Sequence, residues 1–423
     1  MIRIAISIFS ILLGTALLLN GMGLLGTLVG LRATLEGFSV TMVGAVMSAY
    51  FLGFAVGSWV CPPVIRRVGH IRAFAAFATV ASSATIAYPL VVEPFAWFVL
   101  RILTGLTLAG LYMVIESWLN VIAPNQIRGR LFSLYTAITL LSLGTGQYLL
   151  LLGEVSGFDL FAIITILVSL SLLPIVLTRI NQPAAVSTST LNMKRLFQIS
   201  PLGLVSTFIA GVVSGGFWGM GPVFGEHISS HENDVAVFMS LVIFGGGILQ
   251  WPIGRLSDLI DRRKVLLIIC LLASAFAMGG YYAISVSQLW LYLLMFMFGG
   301  TAFTIYAVGV AHVNDLLSSD EVLEATRGLL LVYGIGATVG PVLAALFMQF
   351  FGEVHLLGFF VVNLFMLSIY TLYRLFVGRG VAIDEQAEFV PLVRTSSVVL
   401  DLAPQLNDES MNEQVNEQQR NNE

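Results

Sequence analysis

Two ionisable residues stand inside long apolar stretches and are the first candidates for chemistry. Both lie in "RILTGLTLAGLYMVIESWLN" (101–120), Arg101 at its start and Glu116 near its end. A charged side chain at a bilayer centre costs on the order of 2.5–3.5 kcal/mol on insertion scales, so it serves a function or has an escape. Fifteen residues of helix separate the two, roughly 22 Å at about 1.5 Å per residue, so they cannot neutralise each other. A carboxyl shielded from water can bind and release a proton, which makes Glu116 a candidate proton carrier. The competing reading is a structural hydrogen bond to nearby backbone or Ser. For Arg101 the plain alternative is a long side chain that snorkels to the nearer surface. His312, in "YAVGVAHVN", adds a group whose ordinary pKa of about 6.5 suits proton exchange, or else it is a satisfied histidine near the interface. Asn20, Tyr112, Trp218, Gln250, Trp251, Tyr306 and Tyr333 add polar and aromatic groups to apolar stretches. Aromatic walls with a few polar groups suit a small organic solute, although each of these residues also serves ordinary helix packing.

The elements that must position them follow from hydropathy. Of the 423 residues 57% are hydrophobic and only 10% charged, and the mean hydropathy is +0.91. Runs of about 20 apolar residues, each long enough to cross about 30 Å of hydrocarbon, recur from end to end. They lie near 4–29, 40–61, 73–92, 95–121, 131–152, 158–178, 200–222, 235–255, 265–286, 289–311, 328–350 and 356–377. The expected fold is therefore an all-α polytopic membrane protein with 12 transmembrane helices; barrel strands would alternate over about 10 residues, and these runs do not. The first run is too long for a signal-peptide core and reads as an uncleaved span. Cys61 and Cys270 have no metal or redox spacing and read as small buried hydrophobes.

Orientation follows from the basic residues. With the N-terminus inside, 18 of the 20 Lys and Arg fall in cytoplasmic segments, among them Arg3, Arg66, Arg67, Arg72, Arg255, Arg262, Arg263 and Lys264. The opposite loops are acidic, with Glu36, Glu93, Glu154, Glu226 and Glu353. The positive-inside rule then predicts both termini in the cytoplasm.

The chain divides into two six-helix bundles, 1–178 and 200–379, around a cytoplasmic loop, 179–199. Its "MKRLF" end reads as linker or as a segment along the membrane surface. Residues 380–423 form a polar tail with nine acidic and two basic residues. Such a composition cannot bury a core, so disorder is expected. The acidic balance of the whole chain, −4, is the tail's and reveals nothing of a solute. The halves also repeat: "GLTLAGLYMVIESWLN" (105–120) aligns with "GGTAFTIYAVGVAHVN" (299–314), matching Gly105 with Gly299, Tyr112 with Tyr306, Asn120 with Asn314 and Trp118 with His312. Paired halves of this kind place a solute site between them near mid-membrane.

"GRLSDLIDRRK" (254–264) concentrates charge between the eighth and ninth candidate helices. It resembles the Gly-x-x-x-Asp-x-x-(Gly)-Arg-Arg/Lys loop signature of the major facilitator superfamily of transporters. Gly254, Asp258, Arg262 and Arg263 take the signature positions, with Asp261 where the second Gly is usual. The first-half loop, "PPVIRRVGHIR" (62–72), keeps Arg67, Gly69 and Arg72 but has Arg66 where the Asp belongs. "RILTGLTLAG" (101–110) is similar to the family's helix-4 motif, with Thr104 where Gln is common, and "GIGATVGP" (334–341) to its helix-11 motif. Helix 5, "LGTGQYLL", lacks the family's Pro. "QWPIGRLSD" and "ESWL" resemble an uncharacterised bacterial branch, which brings no substrate with it. The resemblance implies the superfamily's fold of two pseudo-symmetric bundles and alternating access. It makes Arg101 a candidate for steering protonation or holding an anionic group. It also implies a cytoplasmic gate in which Asp258 and Arg262 latch onto Arg327 of "EATRG"; the plain alternative is a solvated loop that only sets topology.

Other classes lack their residues. There is no GxxxxGK[ST], "GIGATVG" has no strand–helix context, and the five histidines are dispersed with no HExxH. Neither an enzyme nor a nucleic-acid binder is expected, and neither cofactor nor metal. The expected function is secondary active transport of a small organic solute, coupled to protons, by a monomer, with export favoured over nutrient uptake. A non-transporting sensor on the same scaffold is the remaining alternative.

Overall fold

The computed structural model describes residues 2–123, 125–177, 193–228, 232–317 and 319–377, with 381, 383, 386 and 389 beyond them. The side chain of Arg3, residues 179–192 of the central loop and most of the tail, including Arg394 and Arg420, lie outside the described residues. Those described are helical and contain no strand.

The first half holds α1 (Ile2–Leu35), α2 (Val40–Val68), α3 (His70–Ala87), α4 (Pro94–Ile122), α5 (Asn125–Gly146), α6 (Asp159–Leu170) and the short α7 (Leu172–Val176). A further short helix, α8 (Met193–Ile199), lies at the end of the central loop, before the second half. It is followed by α9 (Pro201–Ile228), α10 (Glu232–Leu259), α11 (Arg262–Ala283), α12 (Gln288–Asn314), α13 (Ser319–Phe351) and α14 (Leu356–Val377). Eleven of the described helical segments are long and apolar enough to cross a membrane, α6 and α7 counting as one. The 18-residue α3 completes a twelve-helix fold.

Local chemistry sets the ends. Ser39 caps α2, accepting the Met42 N–H at 3.3 Å. Gly69, at φ 85°, makes the tight turn into α3 that a side chain would strain. Pro94 opens α4, where its missing N–H is no loss. Asp261 caps α11.

Two breaks depart from the expected spans. The fifth is α-helical only to Gly146 and continues as a 3-10 helix over Gln147–Leu152. Gln147 is fully buried; its amide donates to the carbonyls of Gly23 and Leu143, at 3.0 and 3.1 Å, and its Oε1 accepts from Thr27 at 2.6 Å. The sixth breaks at Ser171, whose hydroxyl turns back to the Val168 carbonyl at 2.7 Å. The "MKRLF" segment forms α8, tied to α13 by an Arg195–Glu321 ion pair.

Large apolar side chains cover the outside, with Phe95, Phe350 and Phe376 each more than three-quarters exposed. On a soluble protein this would be an aggregation surface; here it is the face for lipid. The most deeply buried spans are α1, α4, α9 and α12, the first and fourth of each half.

Glycines bring these helices together at the same places in both halves. A Cβ on Gly53 of α2 would collide with the Ile102 carbonyl of α4, and one on Gly105 with the Tyr50 carbonyl. In the second half Gly245 meets Phe296 and Gly299 meets Val242. Gly23 and Gly146 join α1 to α5 just as Gly215 and Gly340 join α9 to α13. The repeat inferred from residues 105–120 and 299–314 is therefore a repeat of backbone contacts.

Leucine at Gly53 or Gly245 should destabilise the protein by about 1–3 kcal/mol through overpacking. Leucine at Gly334, where a Cβ meets nothing within 4 Å, should not. Thermal unfolding in detergent, followed by size-exclusion recovery, measures the difference.

Candidate functional site

α4 carries both intramembrane charges, and the structure buries both. Arg101 is 3% exposed, so it does not snorkel; its guanidinium turns into the bundle instead. Its Nη2 donates to the Gly26 carbonyl at 3.2 Å and lies 3.1 Å from Met47 Sδ, while its Nε has no hydrogen-bond partner. The guanidinium stands 5.8 Å from the centre of the Tyr50 ring, close enough for a cation–π contact. Tyr88 is also within electrostatic reach.

Glu116 is wholly buried, and the Tyr135 hydroxyl of α5 donates to its Oε1 at 3.0 Å. Tyr112, one turn before it, lies within reach of both Glu116 and Tyr50. A column of tyrosines thus spans the stretch of α4 between the two charges. Tyr50, Tyr88 and Tyr135 were not picked out from the sequence, because a tyrosine in a membrane helix resembles any packing aromatic until its hydroxyl partner is known.

The other candidates are distributed. Asn20 of α1 donates to the Ala16 carbonyl at 2.8 Å and accepts from Thr145 of α5 at 3.0 Å. In the second half the rings of Tyr306 and Tyr333 meet at 4.9 Å, Trp218 packs on Phe217 at 5.6 Å, and Gln250 is buried. Trp251 does not join them: it is 64% exposed on the outer face, under the Arg255 guanidinium at 5.7 Å. Adjacent positions on a helix point about 100° apart, so Gln250 and Trp251 cannot share a wall.

The bundle has a basic end, bearing Arg66, Arg67, Arg72, Arg255 and residues 261–264, and an acidic end, bearing Glu36, Glu93, Glu154 and Glu353. Contacts between the halves gather toward the acidic end. Ser48 of α2 donates to the Thr338 carbonyl of α13, Gly44 lies against Pro341 and Ala345, and Ser240 of α10 donates to Tyr148 at 3.1 Å.

At the basic end the second half carries an ionic cluster. Arg262 Nε donates to Asp315 at 2.6 Å, with both side chains 1% exposed; its Nη2 lies 3.5 Å from Asp258 and its Nη1 3.3 Å from Ser257 Oγ. Asp315, which caps α12, escaped the sequence reading, although an acidic residue on the basic side was its signal. Arg263 closes a fork on Asp261 at 2.7 and 3.1 Å. Burial alone would push the Asp261 carboxyl up, but the hydrogen bonds and charge of Arg263 outweigh it and hold it below the ordinary range. His312 is buried within reach of Arg263, Asp261, Arg262 and Arg374. It therefore belongs to this cluster and is not beside Glu116. At the corresponding place in the first half, His70 and Phe74 pack on Trp118 at 6.1 and 6.0 Å. The matched positions Trp118 and His312 thus face the corresponding loop in each half.

The sequence model described as Major Facilitator Superfamily matches residues 5–201 and again 203–399. The chain belongs to this superfamily. As a major facilitator, it is a multi-pass membrane protein of a transporter family. It is 28% identical over 315 residues, 74% of this chain and 81% of the relative, to "Uncharacterized MFS-type transporter YcaD" of Escherichia fergusonii. The crystal structure of the nucleoside transporter NupG superposes with a TM-score of 0.72 at 12% identity, covering 89% of this chain and 99% of that one. A bacterial homologue of the human lysosomal transporter Spinster, in an inward-facing and unoccupied conformation, gives 0.67 at 13%, covering 96% and 98%. At such identities the likeness is one of fold.

Removing Asp315 takes from the buried Arg262 its shorter carboxylate contact and leaves the looser one to Asp258. Asp315→Ala should cost about 3–5 kcal/mol, against little for the exposed Glu36→Ala, whose Arg32 partner also reaches the Val155 carbonyl. Chemical unfolding of the purified protein compares them.

Proposed function

We propose that this major facilitator carries a small organic solute across a bacterial inner membrane by alternating access, coupled to protons through Glu116. The observation that carries the coupling is a wholly buried carboxyl on α4, a central helix, which accepts a hydrogen bond from the Tyr135 hydroxyl. A carboxyl in such a place can change its charge as the bundle opens to water on one side and then the other. Arg101 and the tyrosines between the two charges shape the field along the same helix; Asn20, Trp218, Gln250, Tyr306 and Tyr333 offer walls for the solute. His312 acts from the basic-end cluster.

In this reading the halves, 1–178 and 200–379, move against each other, and the protein works as a monomer with both termini and the basic end in the cytoplasm. The gathering of contacts at the acidic end fits a state open toward the cytoplasm. In the opposite state, Asp258 and Arg262, beside Gly254 and Arg263, would latch onto Arg327 and hold two helix ends together. Export is the preferred direction, on the helix-4 and loop resemblances. Nutrient uptake is the second reading; NupG, whose name is that of a nucleoside transporter, shares the fold.

Proteoliposomes with a trapped pH-sensitive dye, screened against pools of metabolites and drugs, test the proposal. Solute-driven proton flux should be present in the wild type and fall by at least about tenfold in Glu116→Gln, while Glu116→Asp keeps part of it. Equal flux in wild type and Glu116→Gln would discard Glu116 as carrier. Expression should raise tolerance to a toxic compound if the protein exports, or restore growth on a sole nutrient if it imports.

A further inference from the structure

The segment expected to be a loose tail contains a residue that the bundle holds. Phe389 lies beyond α14, which ends at Val377, yet its backbone N–H donates to Asp258 Oδ1 at 2.9 Å. Its ring is partly buried against the core and lies directly over Gly254. A Cβ at Gly254 would collide with two ring atoms of Phe389 and stand 2.9 Å from a third. Glycine inside a helix costs about 1 kcal/mol relative to alanine in general; here its bare backbone makes room for an aromatic ring.

We propose that the Gly254–Asp258 face of α10 is a docking site for this chain's own Phe389, and that the docked residue restrains the basic end of α10. Two features make the fit specific. The ring needs a residue without a side chain beneath it, and the backbone amide needs a carboxylate one turn along the same helix face. Asp258 is already faced by Arg262 at 3.5 Å, so its charge is partly offset and an acidic peptide can approach it. Tethering raises the segment's effective concentration to about the millimolar range, so a small contact suffices for occupancy. The first half has no equivalent, since Pro62 stands at the position of Gly254 and Arg66 at that of Asp258. The site sits on the loop signature itself, so a tail-directed ligand, modification or cleavage would act where the second half must move.

The test needs no solute. In full-length protein with Cys61→Ala and Cys270→Ala, both natural cysteines being free and buried, the pair Gly254→Cys and Phe389→Cys should form a disulfide at least about tenfold faster than Val68→Cys with Phe389→Cys. Val68 lies at the basic end of the other half and reports random collision. In hydrogen–deuterium exchange on protein otherwise wild type, Phe389→Ala should speed exchange of the last turns of α10 by about tenfold and leave the end of α2 unchanged. Phe389→Ala alters no residue of the bundle, so folding is not at stake. Disulfide formation at the control rate, or α10 exchange unchanged by Phe389→Ala, overturns the proposal.

Discussion

The structure depends on a few places where helix backbones touch. Lipid chains are as apolar as leucine, so helices in a bilayer gain nothing from simply hiding apolar surface from one another. They associate where their surfaces come close enough for dense dispersion contact and where small residues permit it. Gly53 and Gly105 supply one such crossing, Gly245 and Gly299 its counterpart, and the α1–α5 and α9–α13 crossings repeat the arrangement. These contacts put α1, α4, α9 and α12 in the middle. Polar groups on those helices then turn to partners within the protein, although Arg101 Nε has none. Most hydroxyls turn back on their own helix, as Thr15 does to Ile11, Ser117 to Met113 and Thr304 to Gly300. Arg101 and Glu116 cannot do so, and they borrow partners from α1, α2 and α5.

The two halves share a backbone plan and differ in what they place at its basic end. In the second half, Arg262 shares a buried pair with Asp315 and a looser one with Asp258. In the first, His70, Phe74 and Trp118 fill the corresponding space with rings. Ion pairs can exchange partners as helix ends shift, because charge is directional only weakly and acts over several ångströms. Packed rings offer no such exchange, so the two halves differ in chemistry at the same end of the bundle.

Much of this was legible in the sequence. Twelve apolar runs gave the helices, because a chain in hydrocarbon must satisfy its backbone internally and helices do so segment by segment. Basic loops divided one end from the other, and the charged stretch at 254–264 pointed to the family that the sequence model then matched. Less visible was which side of each helix faces lipid. Trp251 and Gln250 are neighbours of similar plausibility, and only packing separates the exposed one from the buried one. In water a polar face marks the outside; in a bilayer the interior and the lipid face are both apolar, so hydropathy carries little periodic signal.

What the sequence determined by itself is the count and order of the helices, the charge asymmetry of their ends, and the placement of two ionisable residues where ionisation is expensive. These are properties of single segments in their solvent. Only the tertiary structure decided the partners: Tyr135 for Glu116, Tyr50 and Gly26 for Arg101, Asp315 for Arg262, Phe389 for Asp258. Each joins residues from different segments. A hydrogen bond or an ion pair exists only at a few ångströms, and that distance is set by how the helices cross.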